Sequence, residues 1–214
     1  MNNHPDPSIQ NPKSEINHQS LSRRFEDALV LAHQLHADQT RKGTPIPYIG
    51  HLLAVTAIVI EHGGTEDEAI AALLHDAVED AGGDPIRQVI RDRFGEHVLA
   101  IVEGCTDTDQ TPKPPWRARK EAYLAHLSEA SSSVLLVSLA DKIHNAGSIL
   151  RDLRNEGDSV WSRFSGGREG SLWYYRALVE AFRARGQFTS LVDELDRVVT
   201  EIERLASTAD RKLG

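Results

Sequence analysis

The stretch LLHDAVED, residues 73–80, places His75 beside Asp76 and Glu79 beside Asp80, directly after the apolar run AIAA. Each of these four groups costs free energy to bury without a partner. If the run is helical, Glu79 lies four residues after His75 and Asp80 four after Asp76, so the side chains stack as two adjacent columns over one turn. Imidazole and carboxylate together suit Mn²⁺, Fe²⁺, Zn²⁺ or Mg²⁺. A cation touched by His75 and Asp76 would leave Glu79 and Asp80 facing the same space one turn along. Further ligands must come from elsewhere, and two residues have similar settings. His51 opens an apolar run after PYIG, and Asp141 interrupts LVSLADKIHN. A single histidine or acidic pair usually has a bland explanation as a satisfied or solvated group. Several together in apolar helices carry more weight.

The elements that must position these groups read as helices. Phe25, Ala28, Leu29, Ala32 and Leu35 recur at three- and four-residue steps, which predicts a first helix from about residue 21. Gly43, Pro45 and Pro47 then form a loop, and a helix follows over about 51–62, stopped by Gly63 and Gly64. Thr65 with Glu68 has capping-box spacing and should launch one helix through LLHDAVED to about Gly82. Asp84 and Pro85 start another helix, to about Arg93. Further helices are expected at 96–105, 116–129, 132–154, 169–185 and 188–207, with the Pro-, Asp- and Thr-rich segment before Trp116 as an irregular loop. SVLLVSLA is rich enough in β-branched residues to pass for a strand, but DKIHNAGSILRDLR continues it at helical spacing. The fold class is all-α: a compact bundle of roughly eight to ten helices. Residues 1–20, rich in Asn, Pro and Ser, read as a disordered tail; 21–186 form the domain, and 187–214 a C-terminal helix packed on it or extending it.

Composition excludes some function classes. The net charge of −8 argues against wholesale nucleic-acid binding, though a local basic pocket can still oppose the global sign. Cys105, the one cysteine, permits no internal disulfide and no cysteine-based zinc site, which suits a reducing cytoplasm. No apolar run approaches the ~20 residues of a membrane helix, and the N-terminus lacks the pattern of a secretory signal.

YIGHLL, ALLHDAVED and LADKIHN, in this order, resemble the HD-domain metal-dependent phosphohydrolases. More closely they resemble the hydrolase domains of Rel/Spo-type alarmone enzymes and the free-standing small alarmone hydrolases, over about residues 25–155. The resemblance implies one metal, usually Mn²⁺, held by His51, His75, Asp76 and Asp141. It puts Glu79 and Asp80 on the pair assigned to water activation. Arg41, Lys42 and Asn145 fall on residues near the substrate, and Lys142, directly after Asp141, joins that substrate-binding group. The implied partner is a small-molecule nucleotide, guanosine 3′,5′-bis(diphosphate) (ppGpp or pppGpp), from which the 3′ pyrophosphate is released. Two alternatives stand beside it: another HD phosphohydrolase acting on a different nucleotide or on NADPH, and a catalytically silent ligand-binding module. This sequence departs from the family at Leu52, where proline is usual, in the loop Thr44-Pro45-Ile46, and after Asn155. Lys113, Arg117, Arg119 and Lys120 offer a basic rim or a solvated face. His33 and His36 read as structural, and Trp161, Trp173, Tyr174 and Tyr175 as packing for the last helices.

Overall fold

Helix is the only extended secondary structure among the residues described by the computed structural model, which are 20–108, 110 and 112–210. The expected disordered tail falls, except for its last residue, outside the described residues. Among the described residues there are ten α-helices: α1 (Arg23–Leu35), α2 (Ile49–Glu61), α3 (Glu66–Leu74), α4 (Ala77–Ala81), α5 (Asp84–Phe94), α6 (Glu96–Cys105), α7 (Trp116–Leu127), α8 (Ser132–Glu156), α9 (Gly167–Arg185) and α10 (Thr189–Asp210). A 3-10 turn, Gly157–Arg163, joins α8 to α9, and an isolated β-bridge pairs Thr40 with Pro47.

Local chemistry accounts for the main boundaries. Ser22 accepts from the Arg24 N–H at the start of α1, and Ser131 from the Val134 N–H at the start of α8. Thr65 and Glu68 form a full capping box: the Thr65 hydroxyl accepts from the Glu68 N–H, and the Glu68 carboxylate accepts from the Thr65 N–H at 2.7 Å. α9 ends at Gly186, whose φ of +66° is the left-handed cap that glycine favours.

One boundary differs from expectation. The run from Thr65 is two helices, because His75 and Asp76 form a turn between α3 and α4. The His75 imidazole Nδ1 sits 2.8 Å from the Ala72 carbonyl, three residues back. A side chain satisfying a carbonyl near a helix end competes with the backbone ladder, and the chain kinks there. Asp80 still donates its N–H to the Asp76 carbonyl at 3.0 Å, so the spacing survives locally while the axis does not.

The core explains why α3 and α8 can hold polar groups in place. Ala69 through Leu74 are all fully buried, as expected of a helix apolar on every side. α8 packs on α2, α3, α6 and α10 and buries Leu135, Leu136, Val137, Leu139 and Ala140 just before Asp141. α10 covers the bundle by packing on α8 and α9. Truncating a side chain such as Leu73 or Leu139 to alanine should cost about 2–5 kcal/mol.

Candidate metal centre and cleft

Three elements bring one residue each to a common point. His51 lies in the first turn of α2, His75 caps the end of α3, and Asp141 sits within α8. All three are buried, and one ligand atom from each lies within 4.8 Å of the others. Nε2 of His51 is 3.2 Å from Asp141 Oδ1, and Nε2 of His75 is 3.7 Å from the same atom. Asp76 Oδ2 approaches Nε2 of His75 at 3.0 Å and of His51 at 3.7 Å. The four sequence candidates therefore meet, Asp76 approaching the two rings as closely as Asp141 does.

The other side of each ring is held. His75 Nδ1 can only donate to the Ala72 carbonyl, so in the neutral ring Nε2 carries the lone pair. That Nε2 is buried and has no aligned hydrogen-bond partner, despite the two nearby carboxylates. A lone pair and two carboxylates converging on one buried point fit a divalent cation. His51 Nδ1 is hydrogen-bonded to His144 Nδ1 at 2.7 Å, and the Tyr48 hydroxyl donates to Asp76 Oδ2 at 2.5 Å. Such outer contacts fix ring orientation and carboxylate rotamer. Burial would keep Asp76 and Asp141 protonated, but His75 beside Asp76 and Lys142 beside Asp141 outweigh it and hold both carboxyls below the usual range. Burial lowers His51, whereas for His75 the neighbouring Asp76 and Asp141 overcome burial and raise it well above the ordinary value. His144 is pushed down to about 4 by burial and by the charges of His51 and Arg41.

Next to this point opens a cleft of about 550 Å³, within the ~300–1,000 Å³ usual for small-molecule sites. Arg41, Lys42, Lys113, Arg119, Lys120 and Lys142 line it, so its local sign opposes the net charge of −8. Arg41 Nη2 donates to Asn145 Oδ1 at 2.6 Å, and Asn145 Nδ2 donates to Asp141 Oδ1 at 2.5 Å, which links the cleft wall to the metal cluster. Lys142 is committed to Asp141, 2.6 Å from Oδ2. Glu79 lines the cleft and accepts from Lys113 Nζ at 2.8 Å. Asp80 is exposed, is not part of the cleft wall, and accepts from Gln39 Nε2 at 2.9 Å. The two acidic neighbours thus have different surroundings. Arg119 and Lys120 pair with Asp107, while Arg117 lies over the Trp173 ring and away from the cleft. Tyr174 and Trp161 are buried, and Tyr174 and Tyr175 also line the cleft. His33 is exposed; buried His36 is hydrogen-bonded to Gln39.

Spacing alone passed over Tyr48, His144, Gln39 and Asp107. Tyr48 and His144 each stand three residues from a cluster member, His51 and Asp141, and that periodicity was the available signal. Gln39 and Asp107 lie in irregular segments and had none.

Comparison with known proteins locates the chain among its relatives. A family model described as an HD domain matches residues 28–172. The chain belongs to the HD domain family. A solved structure of a metazoan ortholog of SpoT, reported to hydrolyze ppGpp and to play a role in starvation responses, superposes with a TM-score of 0.70 at 27% identity, covering 84% of this chain and 96% of that one. A solved structure from Listeria monocytogenes EGD-e gives 0.63 at 31% identity, covering 71% and 97%. Among curated proteins, the guanosine-3′,5′-bis(diphosphate) 3′-pyrophosphohydrolase of Aquifex aeolicus is 34% identical over 124 residues, 58% of this chain and 17% of that protein. The bifunctional (p)ppGpp synthase/hydrolase SpoT of Escherichia coli K12 is 33% identical over 141 residues, 62% and 19%. The chain spans under a fifth of the length of these two relatives. No helix among the described residues is long and apolar enough to cross a membrane.

Proposed function

We propose that this HD domain protein is a Mn²⁺-dependent phosphohydrolase that removes the 3′ pyrophosphate from guanosine 3′,5′-bis(diphosphate), acting in the cytoplasm. The observation that carries the reading is the buried His51, His75 and Asp141 set at the edge of a cationic cleft. Likeness to proteins named for this hydrolysis supports the substrate. His51, His75, Asp76 and Asp141 would hold the metal, with Tyr48 and His144 fixing the orientation of Asp76 and His51. When bound, a divalent cation acidifies water and offsets charge on the phosphoryl group. Glu79, in the cleft wall, accepts the proton of the attacking water, while Lys113 at 2.8 Å holds that carboxylate in place. Arg41 and Lys42 hold the polyphosphate, and Asn145 holds the Arg41 guanidinium. Asp80 supports the acidic pair from its bond to Gln39.

The test is product analysis with manganese over a panel containing ppGpp, pppGpp, GTP, ATP and NADPH. Release of pyrophosphate with formation of guanosine 5′-diphosphate from ppGpp is the expected result. Turnover of NADPH alone would transfer the reading to another substrate class, and no turnover of any member would leave a ligand-binding module.

A further inference from the structure

The chain after α8 makes two close approaches to the cleft. Arg163, the last residue of the 3-10 turn, lays its side chain on Gly43. A Cβ on Gly43 would stand 2.8 Å from Arg163 Cδ and 2.9 Å from Nε. Gly43 has φ +74°, a conformation that favours glycine in its own right. The Arg163 guanidinium is anchored, since it pairs with Asp152 at 2.9 Å and with Glu156, both on α8. Gly43 belongs to the turn that carries Arg41 and Lys42, closed by the Thr44 N–H donating to the Arg41 carbonyl at 2.9 Å. Arg163 thus braces that turn against α8.

The second approach concerns Trp116, which lines the cleft from the start of α7. A Cβ on Gly166 would lie 2.7 Å from Trp116 Cη2 and Cζ2, and one on Gly170 3.1 Å from Cη2 and Cζ3. Carbon atoms at ordinary contact stand about 3.5–4.0 Å apart. Neither glycine has a positive φ, so the backbone does not call for glycine at either place. The indole ring does. Two bare positions four residues apart, on one face at the start of α9, let it lie against the chain.

We propose that the 163–170 segment shapes the cleft's grip on its nucleotide: Arg163 braces the turn of Arg41 and Lys42, and Gly166 with Gly170 seats Trp116 as an aromatic wall. The proposal rests on the reading of the cleft as a nucleotide site. Its ligand class is a nucleotide whose ring and phosphates are gripped separately. These residues do not touch the metal cluster, so they are positioning residues, and their loss should appear in KM rather than kcat.

The experiment takes the full chain and compares Arg163→Ala, Arg163→Lys, Gly166→Ala, Trp116→Phe and the pair Gly166→Ala/Trp116→Phe. KM, kcat, metal content, melting temperature and deuterium exchange at the Arg41 and Thr44 amides are measured for each. Arg163→Ala should raise KM for ppGpp roughly tenfold, with kcat and metal content near wild type, and should speed exchange at both amides. Arg163→Lys keeps the stem over Gly43 and should recover most of the loss. Gly166→Ala should raise KM and lower the melting temperature in the parent chain. It should add little to either in Trp116→Phe, which removes the outer indole atoms Cη2 and Cζ2 that the new methyl would meet. Unchanged KM and exchange in Arg163→Ala, or an equal cost of Gly166→Ala in both backgrounds, overturns the proposal. A wild type that turns over no nucleotide refutes the functional reading instead. The amide exchange and the melting cycle then still decide, for or against, whether the segment braces the turn and seats the indole.

Discussion

His51, His75 and Asp141 are themselves buried, on or at the ends of packed helices, and each is fixed by a second contact. Lys113, Arg119 and Lys120 stand on a Pro-rich connection and the first turns of α7, paired with Glu79 or Asp107. Lys113 is about half exposed, against 1% for His51. A metal centre tolerates displacements of tenths of an ångström, so it belongs on packed helices. At the rim, Lys113 is a long, solvated side chain whose ion pair with Glu79 can exchange with solvent and ligand, whereas Arg119 and Lys120 are mostly buried against Asp107. The same molecule thus separates a rigid chemical point from an adaptable grip.

The most severe way to break this division is to remove a buried cluster member. His75→Ala or Asp141→Ala should reduce bound manganese to background, measured by elemental analysis, and turnover should disappear with it. The loss should exceed the roughly 10–100-fold that follows from removing an outer contact to a ligand. Retained metal in both variants would show that the cation sits elsewhere.

Next in size comes the acidic pair, which straddles the boundary. Glu79→Gln keeps size and helix preference but removes basicity, and should lower kcat by roughly 10²–10⁴-fold with metal content near wild type. Asp80→Asn should cost only about tenfold or less, because Asp80 lies outside the cleft wall and its partner is Gln39. Equal losses would erase the distinction drawn between them, and near-normal turnover in the double variant would make the pair irrelevant to chemistry.

A smaller effect is expected from Tyr48→Phe, which deletes the hydroxyl bonded to Asp76 without opening a cavity. Manganese affinity should fall roughly 10–100-fold, read by competition with a chelating dye. Unchanged affinity would place Asp76 outside the metal's coordination sphere.

On the rim, Arg41→Ala should raise KM about tenfold while metal content holds, because a guanidinium contacts phosphate or Asn145 but does not ligate a cation. A loss of metal at normal KM would instead assign Arg41 to the support of Asp141 through Asn145.

The smallest effect concerns Cys105, at the end of α6. Burial pushes its thiol up to about 11, opposed by a contact with Ser138. A raised value keeps the neutral thiol dominant at neutral pH, so iodoacetamide labelling should be slow there. Labelling should quicken only as pH rises toward that value, and rapid labelling at neutral pH would mean this wall opens.

The all-α class was legible because apolar spacing, the Thr65–Glu68 capping box and the glycine stops act over a few residues. The same local rule made His51, His75, Asp76 and Asp141 stand out, since each puts a polar group into an apolar helix. It misjudged the continuous helix through LLHDAVED, because a side chain reaching the Ala72 carbonyl is a three-dimensional event that spacing does not record. Lys142, adjacent to Asp141 in sequence, both lines the cleft and pairs with that carboxylate, which spacing does not record.

Residue types and periods by themselves determined which side chains share a helix face and which polar groups need a partner. Only the packing of α2, α3 and α8 decided that His51, His75 and Asp141 meet within 4.8 Å, and only the path after α8 brought Arg163 onto Gly43 and Gly166 onto Trp116. The physical reason is range. Helix propensity, capping and face alternation are settled within one or two turns, whereas contacts between residues far apart in the chain are settled by how the buried faces fill space together.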